Sequence, residues 1–238
     1  GDPGVAAMEL YSYAHQLAAD RGIDPQDDIM TKLVNAEIDG DRLTELEIDV
    51  FMLLLSVAGN ETTRNATAHG MHAFLTNPDQ FSLLKSNVDK YIDTAVDEVI
   101  RWASPVLHFR RTTTQPVELL GQEIEEGSRV VMWYISANRD EEVFSNPYNF
   151  DITRSPNDHI AFGAGGAHYC LGANLARAEL RLIFQEIATR MPDMKMEGEP
   201  QRLRSNFIGG IKHLPVSWTP GPRVDPPPYK RETKLTDF

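Results

Sequence analysis

The sequence predicts a mainly α-helical fold with small β-sheets, and three observations carry that prediction. The stretch from Thr44 to Asn77 contains no proline and only two glycines, which permits one long helix. Leu171 to Arg190 repeats apolar residues at the spacing of an amphipathic helix. Between these helices, Val106 to Trp133 holds short runs of Val, Thr, Leu and Ile divided by turn residues, a pattern typical of short strands.

Composition limits the classes of function. The chain has 238 residues, of which 41% are hydrophobic and 24% charged, values that argue against a disordered or fibrous protein. Its 35 acidic residues exceed its 23 basic ones, and the formal net charge is −12. That balance disfavours a nucleic-acid binder. The longest apolar stretch, Val50 to Gly59, is too short to span a membrane.

Cys170 is the single cysteine of the chain. One cysteine excludes both an internal disulfide framework and a zinc site built from several cysteines. A reduced thiol suits the cytoplasm, and we therefore expect a cytoplasmic protein.

The amino-terminal part is predicted to be helical. Apolar stripes predict helices over Val5 to Ala19 and Gln26 to Ala36. Thr44 and Glu47 have the spacing of a capping box, which predicts that the long helix begins there. Its first half, Ile48 to Leu55, is apolar nearly all round, so we expect it to be buried.

The remaining elements follow from breaks in the pattern. A helix from Val88 to Trp102 is predicted to stop before Pro105. Asn138 to Phe150 is polar and rich in turn residues. Phe207 to Trp218 is compatible with a final hairpin, and residues 220–238, with five prolines, are predicted to be a mobile tail.

The strongest chemical signal is the glycine-rich loop from Phe162 to Gly172. Its Cys170 precedes a helix, where free backbone N–H groups and the positive helix end favour a thiolate. The glycines would let the backbone approach a flat ligand, and an accessible sulfur suits haem-thiolate chemistry. One alternative is a buried structural cysteine after a tight turn. Another is a thiol hydrolase with His168 as the base, although two residues apart is poor geometry for that pair.

Two further signals lie upstream. Glu98 and Arg101, three residues apart, share one helix face and could pair, or they could be a solvated surface pair. In the long helix, the run 58–63 (Ala-Gly-Asn-Glu-Thr-Thr) places a small-residue step before an acid and a hydroxyl. A threonine there can bond the backbone and open the helix locally, and a helix crossing with incidental polar residues is the alternative.

In this order, the three signals resemble the carboxy-terminal half of a cytochrome P450, a haem-thiolate monooxygenase. The resemblance runs from about Asp28 to Trp218. It implies that Cys170 ligates the iron of haem b, and that Glu61 and Thr62 are catalytic residues that deliver protons during oxygen activation. The haem-binding residues that it implies are Ala58, Gly59, Arg111 (with Arg110 as the alternative), Phe162, Gly163, His168, Cys170 and Gly172.

The same resemblance implies a reaction and partners. One oxygen atom from O2 would enter an unactivated C–H bond of an apolar small molecule, namely a steroid, a terpenoid or a methyl-branched lipid side chain, with electrons from a ferredoxin and its reductase. Arg177 and Arg181, one turn apart, could dock the ferredoxin, or they could form a solvated helix face. The positions that would line the substrate are Val106, Leu107, Phe207 and Ile208.

Two departures from the usual family pattern are visible. Phe162 lies eight residues before Cys170 instead of seven, which resembles an actinobacterial subgroup that oxidises sterol side chains and methyl-branched lipids. Asparagine also occupies the segment 146–150 where many members place an arginine that joins the structural pair Glu98 and Arg101. His159 or Arg154 could take that role.

The family's amino-terminal helices have no counterpart here, since a complete member is nearly twice as long. We therefore expect residues 1–219 to be the carboxy-terminal portion of one haem-thiolate domain. The alternative function is an incompetent or haem-free fragment of such an enzyme.

Overall fold

The structure is a computed structural model that describes residues 2–222. It is mainly helical with small sheets, as predicted. The helices of the described part are α1 (Pro3–Ile23), α2 (Ile29–Val34), α3 (Glu45–Thr76), α4 (Pro78–Ser86), α5 (Val88–Ala103), α6 (Tyr134–Ala137) and α7 (Ala173–Arg190).

The strands form antiparallel pairs. They are β1 (Glu37–Ile38) with β2 (Asp41–Arg42), β3 (His108–Thr112) with β6 (Arg129–Trp133), β4 (Val117–Leu119) with β5 (Gln122–Ile124), β8 (Gln201–Arg202) with β9 (Ile211–His213), and β7 (Lys195–Met196) with β10 (Val216–Ser217). The predicted hairpin over 207–218 is therefore wrong. Pro215, between β9 and β10, has no N–H to give to a ladder, and each of the two strands pairs with an earlier segment.

The chain divides into two compact units, with the division inside α3, between Glu61 and Thr62. In the first unit, α1 and α2 start at the aspartate caps Asp2 and Asp28. The predicted capping box opens α3, because the Thr44 backbone N–H donates to Glu47 Oε2 at 2.8 Å and the Glu47 N–H donates to Thr44 Oγ1 at 3.3 Å.

The predicted burial of Ile48 to Leu55 is wrong for most of that stretch. Ile48 is 6% exposed, whereas Val50 and Leu54 are 46% and 58% exposed. The small core of the first unit explains the difference, since it covers only one side of α3. Its members are Ala14, Met30 and Ile48, with Leu17, Ala18, Val34 and Met52 packed around them.

The second unit is built around a larger core from α3, α4, α5 and α7. Phe74 is its centre, with ring centroids of Phe81, Phe150 and Phe184 5.5, 5.2 and 5.5 Å away. This core packs α5, which carries Glu98, against α7, which follows Cys170. No helix of residues 2–222 is long and apolar enough to cross a membrane. Of the predicted tail, 223–238 lie outside the described residues.

Candidate functional site

The Cys170 loop leads directly into α7. Gly163, Gly165 and Gly166 have φ angles of +92°, +101° and +79°, the left-handed region that side chains resist. The Cys170 backbone N–H donates to the carbonyl of Phe162 at 2.9 Å, which closes the loop. Gly172 occupies the N-cap position of α7. The thiol is free and exposed at this helix start.

Glu98 is a fully buried carboxylate that accepts five hydrogen bonds. Arg101 donates two, from Nε to Oε2 at 2.7 Å and from Nη2 to Oε1 at 2.8 Å. The other three donors are Arg154 Nε at 3.1 Å, Asn157 Nδ2 at 3.1 Å and the Asp151 N–H at 2.9 Å. Because two arginines bond one buried carboxylate, Glu98 and Arg101 form a buried structural network and not a solvated surface pair.

The structure separates the two candidates for the third member of this network. Arg154 bonds Glu98, and it also donates to the carbonyls of Ser145, Asn146 and Asn149. His159 does not contact Glu98 in the described hydrogen bonds and ion pairs. Its Nε2 lies 3.5 Å from Asp97 Oδ1 instead, with the His159 side chain 3% exposed.

Asn138 is a buried residue that links three parts of the second unit, and no sequence motif marks it. Its backbone carbonyl accepts from Arg101 Nη1 at 2.7 Å. Its side chain donates to Ser104 Oγ at 2.9 Å and accepts from the Ile160 N–H at 2.8 Å. Asn138 therefore ties the end of α5 to the segment that enters the Cys170 loop. The turn-rich composition of 138–150 was the available signal for such a side-chain-to-backbone role.

The predicted oxygen-side residues lie on α3, which is continuous through them. Ala58, Gly59 and Glu61 belong to the first unit and Thr62 to the second. Ala58 and Gly59 are exposed, and a Cβ at Gly59 would meet nothing within 4 Å. Glu61 and Thr62 are half-buried. The local opening of the helix suggested by the sequence is not seen, because the α-helical hydrogen bonding runs from Glu45 to Thr76.

The four predicted substrate-lining residues come together within the second unit. Val106 forms an antiparallel bridge with Ile208. The Leu107 N–H donates to the Phe207 carbonyl at 2.9 Å. The Phe207 ring lies 5.6 Å from that of Phe109, and Ser205 Oγ accepts the N–H groups of Phe207 and Ile208, each at 3.1 Å.

A histidine of α3 holds the backbone just beyond this turn. His69 Nε2 lies 3.2 Å from the carbonyl oxygen of Gly209. Burial and, as a smaller cause, the nearby Arg202 guanidinium together lower the pKa of His69 to about 4. A neutral imidazole therefore faces the turn at neutral pH.

The predicted cationic partners of a haem lie on β3 and in the Cys170 loop. Arg111 is exposed and donates from Nη1 to the Arg110 carbonyl at 3.0 Å. Arg110 is exposed as well, and so is His168. Nothing in this geometry separates Arg111 from Arg110.

Both arginines proposed to dock a ferredoxin are paired with α5. Arg177 Nε bonds Asp97 Oδ1 at 2.9 Å, and Arg181 Nε lies 3.5 Å from Asp93 Oδ1. Each side chain is only partly exposed, at 37% and 38%. Their charges are largely matched within the protein, so neither is an unopposed cation on a solvated face.

The chemistry of these residues fits a haem. A free thiol such as that of Cys170 could supply one bond to an iron. A Cβ added at Gly165, Gly166 or Gly172 would meet nothing within 4 Å, so the backbone beside Cys170 is open to a flat group. His168 and Arg111 carry the kind of donors that propionates accept.

The family model for cytochrome P450 matches residues 12–191 of the chain. A steroid C26-monooxygenase of Mycolicibacterium smegmatis is 53% identical over 218 residues, which are 92% of this chain and 50% of that protein. A methyl-branched lipid omega-hydroxylase of Mycobacterium bovis is 50% identical over 228 residues, with 92% and 53% covered. The chain thus spans about half the length of these relatives.

Solved structures agree with this result. A Mycobacterium marinum cytochrome P450 in complex with pseudoionone superposes with a TM-score of 0.85 at 47% identity, over 89% of this chain and 51% of the other. A Bacillus megaterium protein, CYP109E1, in complex with testosterone gives a TM-score of 0.84 at 37% identity, over 89% and 59%.

Proposed function

The chain belongs to the cytochrome P450 family, and on that premise we propose that it contributes the haem-thiolate half of a monooxygenase acting on an apolar substrate. The observation that carries the proposal is the Cys170 loop. A free thiol stands at a helix start, behind three left-handed glycines, with its backbone N–H fixed by the Phe162 carbonyl. These features support a preorganised site with one sulfur ligand.

Haem, when bound to Cys170, would supply oxygen activation with electron density donated by the thiolate. The remaining work falls to the chain's own side chains. Glu61 and Thr62, consecutive on α3, would carry protons toward the reacting side of the cofactor. His168 and Arg111 would neutralise the propionates, and the buried pair Glu98 and Arg101 would hold the α5 framework.

The proposed substrate is a steroid or a lipid with a methyl-branched side chain. The relatives at 50% identity or more are named for such substrates. The turn with Phe207 and Ile208 and the facing residues Val106 and Leu107 offer an apolar surface of the right kind. Specificity would come from the shape of that surface, since it presents few hydrogen-bonding groups to a hydrocarbon.

Electrons would come from a ferredoxin and its reductase. Because Arg177 and Arg181 are paired with Asp97 and Asp93, the proposal does not rest on them as the docking cations. A reducing compartment such as the cytoplasm would keep the Cys170 sulfur reduced and available to an iron.

The test is the spectrum of the chain expressed with a haem precursor. We expect the red-shifted Soret band of a thiolate-ligated ferrous carbon monoxide complex. Cys170→Ser should abolish that band, because a hydroxyl does not replace the thiolate. A band unchanged in Cys170→Ser would contradict the ligand assignment.

The haem-free alternative is tested on the same sample. If the chain takes up no haem but the gene's whole product does, the fragment is incompetent while the ligand assignment stands. If the whole product also fails to bind haem, the proposed function is wrong.

A further inference from the structure

Asp97 lies between two side chains that border the Cys170 loop. Its Oδ1 accepts from Arg177 Nε at 2.9 Å and lies 3.5 Å from His159 Nε2. Asp97 is on α5, Arg177 is on α7, and His159 is in the irregular segment that enters the loop. The Asp97 carboxylate on α5 therefore hydrogen-bonds α7 and lies beside the buried His159 ring of the entering segment, whose Nε2 makes no hydrogen bond among the described residues.

The pKa values agree with a tightly held carboxylate. Burial raises the pKa of Asp97, but His159 and the Arg177 guanidinium together outweigh burial and leave that pKa below its usual value. For Arg177, burial lowers the pKa, and the hydrogen bonds with Asp97 and Tyr169 more than offset it. Both groups are thus held in their charged forms.

Both partners of Asp97 rest against one ring, that of Phe162. The Arg177 guanidinium carbon lies 4.8 Å from the centroid of that ring, within the range of a cation–π contact. The His159 ring lies 5.8 Å from it, centroid to centroid. The Phe162 ring also packs against the ring of Tyr169, the residue directly before the cysteine, with the two centroids 6.4 Å apart.

Phe162 is also the residue whose carbonyl accepts from the Cys170 N–H at 2.9 Å. Because the ring and this carbonyl belong to one residue, a shift of the Phe162 backbone after loss of the ring's contacts would change the position of the Cys170 amide. The ring is therefore the mechanical link between the Asp97 ion pair and the sulfur.

We infer that Asp97 is a positioning residue for the Cys170 loop: through His159 and Arg177 it clamps Phe162, and Phe162 fixes the backbone of the cysteine. The inference rests on the proposed function, because the sulfur that the clamp holds is the proposed haem ligand. Supporting groups behind a metal ligand commonly set its orientation and its electronic character.

The chain provides a matched control one turn away. Asp93 and Arg181 also join α5 and α7, at 3.5 Å. In the described part of the chain, neither forms a hydrogen bond or a ring contact with residues of the Cys170 loop. Loss of that pair would weaken the helix contact without touching the clamp.

The first readout needs no haem. Amide hydrogen exchange at Cys170 reports whether the bond to the Phe162 carbonyl opens. We expect Asp97→Asn and Arg177→Met each to speed that exchange by about tenfold or more, and Asp93→Asn to change it less than twofold. Asp97→Asn and Arg177→Met change the local charge in opposite directions. A purely electrostatic effect would therefore shift their exchange rates in opposite directions, whereas loss of positioning would raise both rates.

The second readout is the ferrous carbon monoxide spectrum of the haem-loaded protein. The clamp predicts that Asp97→Asn loads haem but converts part of the sample to the blue-shifted form in which the thiolate bond is lost. Arg177→Lys, which keeps the ion pair and loses the planar stacking, should fall between the parent and Arg177→Met.

The possible outcomes distinguish failure of the proposed function from failure of the clamp. If the gene's whole product also lacks the thiolate spectrum, the proposed function fails, and the exchange experiment still decides the clamp. If Cys170 exchange and the spectrum are unchanged in folded Asp97→Asn and Arg177→Met, the clamp is refuted. Should Asp97→Asn not fold, as judged by circular dichroism, Arg177→Lys and Arg177→Met carry the decision.

Discussion

Gly70 on α3 lies against Phe184 on α7 with no room for a side chain. A Cβ at position 70 would stand 2.5 Å from Phe184 Cζ and 2.7 Å from Val99 Cγ1. These distances are shorter than any stable carbon–carbon contact, so the backbone of α3 itself forms part of the core of the second unit.

Gly70→Ala should destabilise the protein in spite of the better helix propensity of alanine. Overpacking of a dense core costs about 1–3 kcal/mol. Denaturant unfolding followed by circular dichroism measures the loss. Gly59→Ala is the control, because nothing lies within 4 Å of its Cβ and about 0.5–1 kcal/mol of helix stabilisation is expected there. Equal effects at the two positions would contradict the packing explanation.

Glu98→Ala should yield an unstable or insoluble protein. The change leaves Arg101 and Arg154 without their shared carboxylate, and an uncompensated buried charge costs about 3–5 kcal/mol. The soluble fraction and the thermal midpoint measure the effect. Glu186→Ala removes an exposed carboxylate that pairs with Arg190 at 3.0 Å, and it should matter little. A soluble, haem-loaded Glu98→Ala protein with a normal midpoint would refute the structural role.

The stability of the second unit should fall in acid through His69. The folded pKa of His69 is about 4, below its ordinary value of 6.5. The unfolded chain therefore binds the proton first, and stability is lost as the pH falls from about 6.5 towards 4. Full protonation would cost about 3 kcal/mol, and above pH 6.5 the effect vanishes.

Unfolding free energies of the parent and of His69→Asn across that pH window isolate the contribution of His69. The difference between the two proteins should shrink as the pH falls, because asparagine does not titrate. A difference independent of pH would show that His69 ionises equally well in the folded protein.

In the catalytically active, haem-loaded protein, Thr62→Ala should uncouple nicotinamide consumption from product formation. Under the proposed function the hydroxyl helps to deliver protons, so substrate binding and nicotinamide consumption should persist while more reducing power appears as hydrogen peroxide. The peroxide-to-product ratio measures this, and a several-fold rise is expected. Thr67→Ala is the matched control, since the Thr67 hydroxyl donates to the Thr63 carbonyl at 2.9 Å within the same helix. The same peroxide-to-product ratio in both variants would show that Thr62 has a packing role and no role in proton delivery.

Local structure was easier to predict from the sequence than the packing partners and the burial of each element. The capping box, the long helix and the loop before α7 depend on neighbouring residues, and the structure has all three. The burial of Val50 and Leu54 did not follow from apolarity, because a helix that is apolar on every side does not reveal which side has a neighbour.

The third member of the Glu98 network was also not predictable from local sequence. His159 and Arg154 were equally good candidates by composition. The choice depends on the path of the irregular segment 145–157, where Asn146 adopts a φ of +50° and Arg154 bonds three carbonyls. Asp97 was missed for a related reason, since its partners lie 62 and 80 positions away in the chain.

The long-range contacts of Asn138 predict an order of events for folding. Its side chain meets Ser104, 34 residues earlier, and the N–H of Ile160, 22 residues later. Each bond forms only after its own chain loop has closed, and loop closure is an entropic cost that precedes the gain. The geometry of the cysteine loop should therefore be completed after the main folding barrier. Loss of the Asn138 side chain would then accelerate unfolding and leave the folding rate almost unchanged, as a chevron plot would reveal.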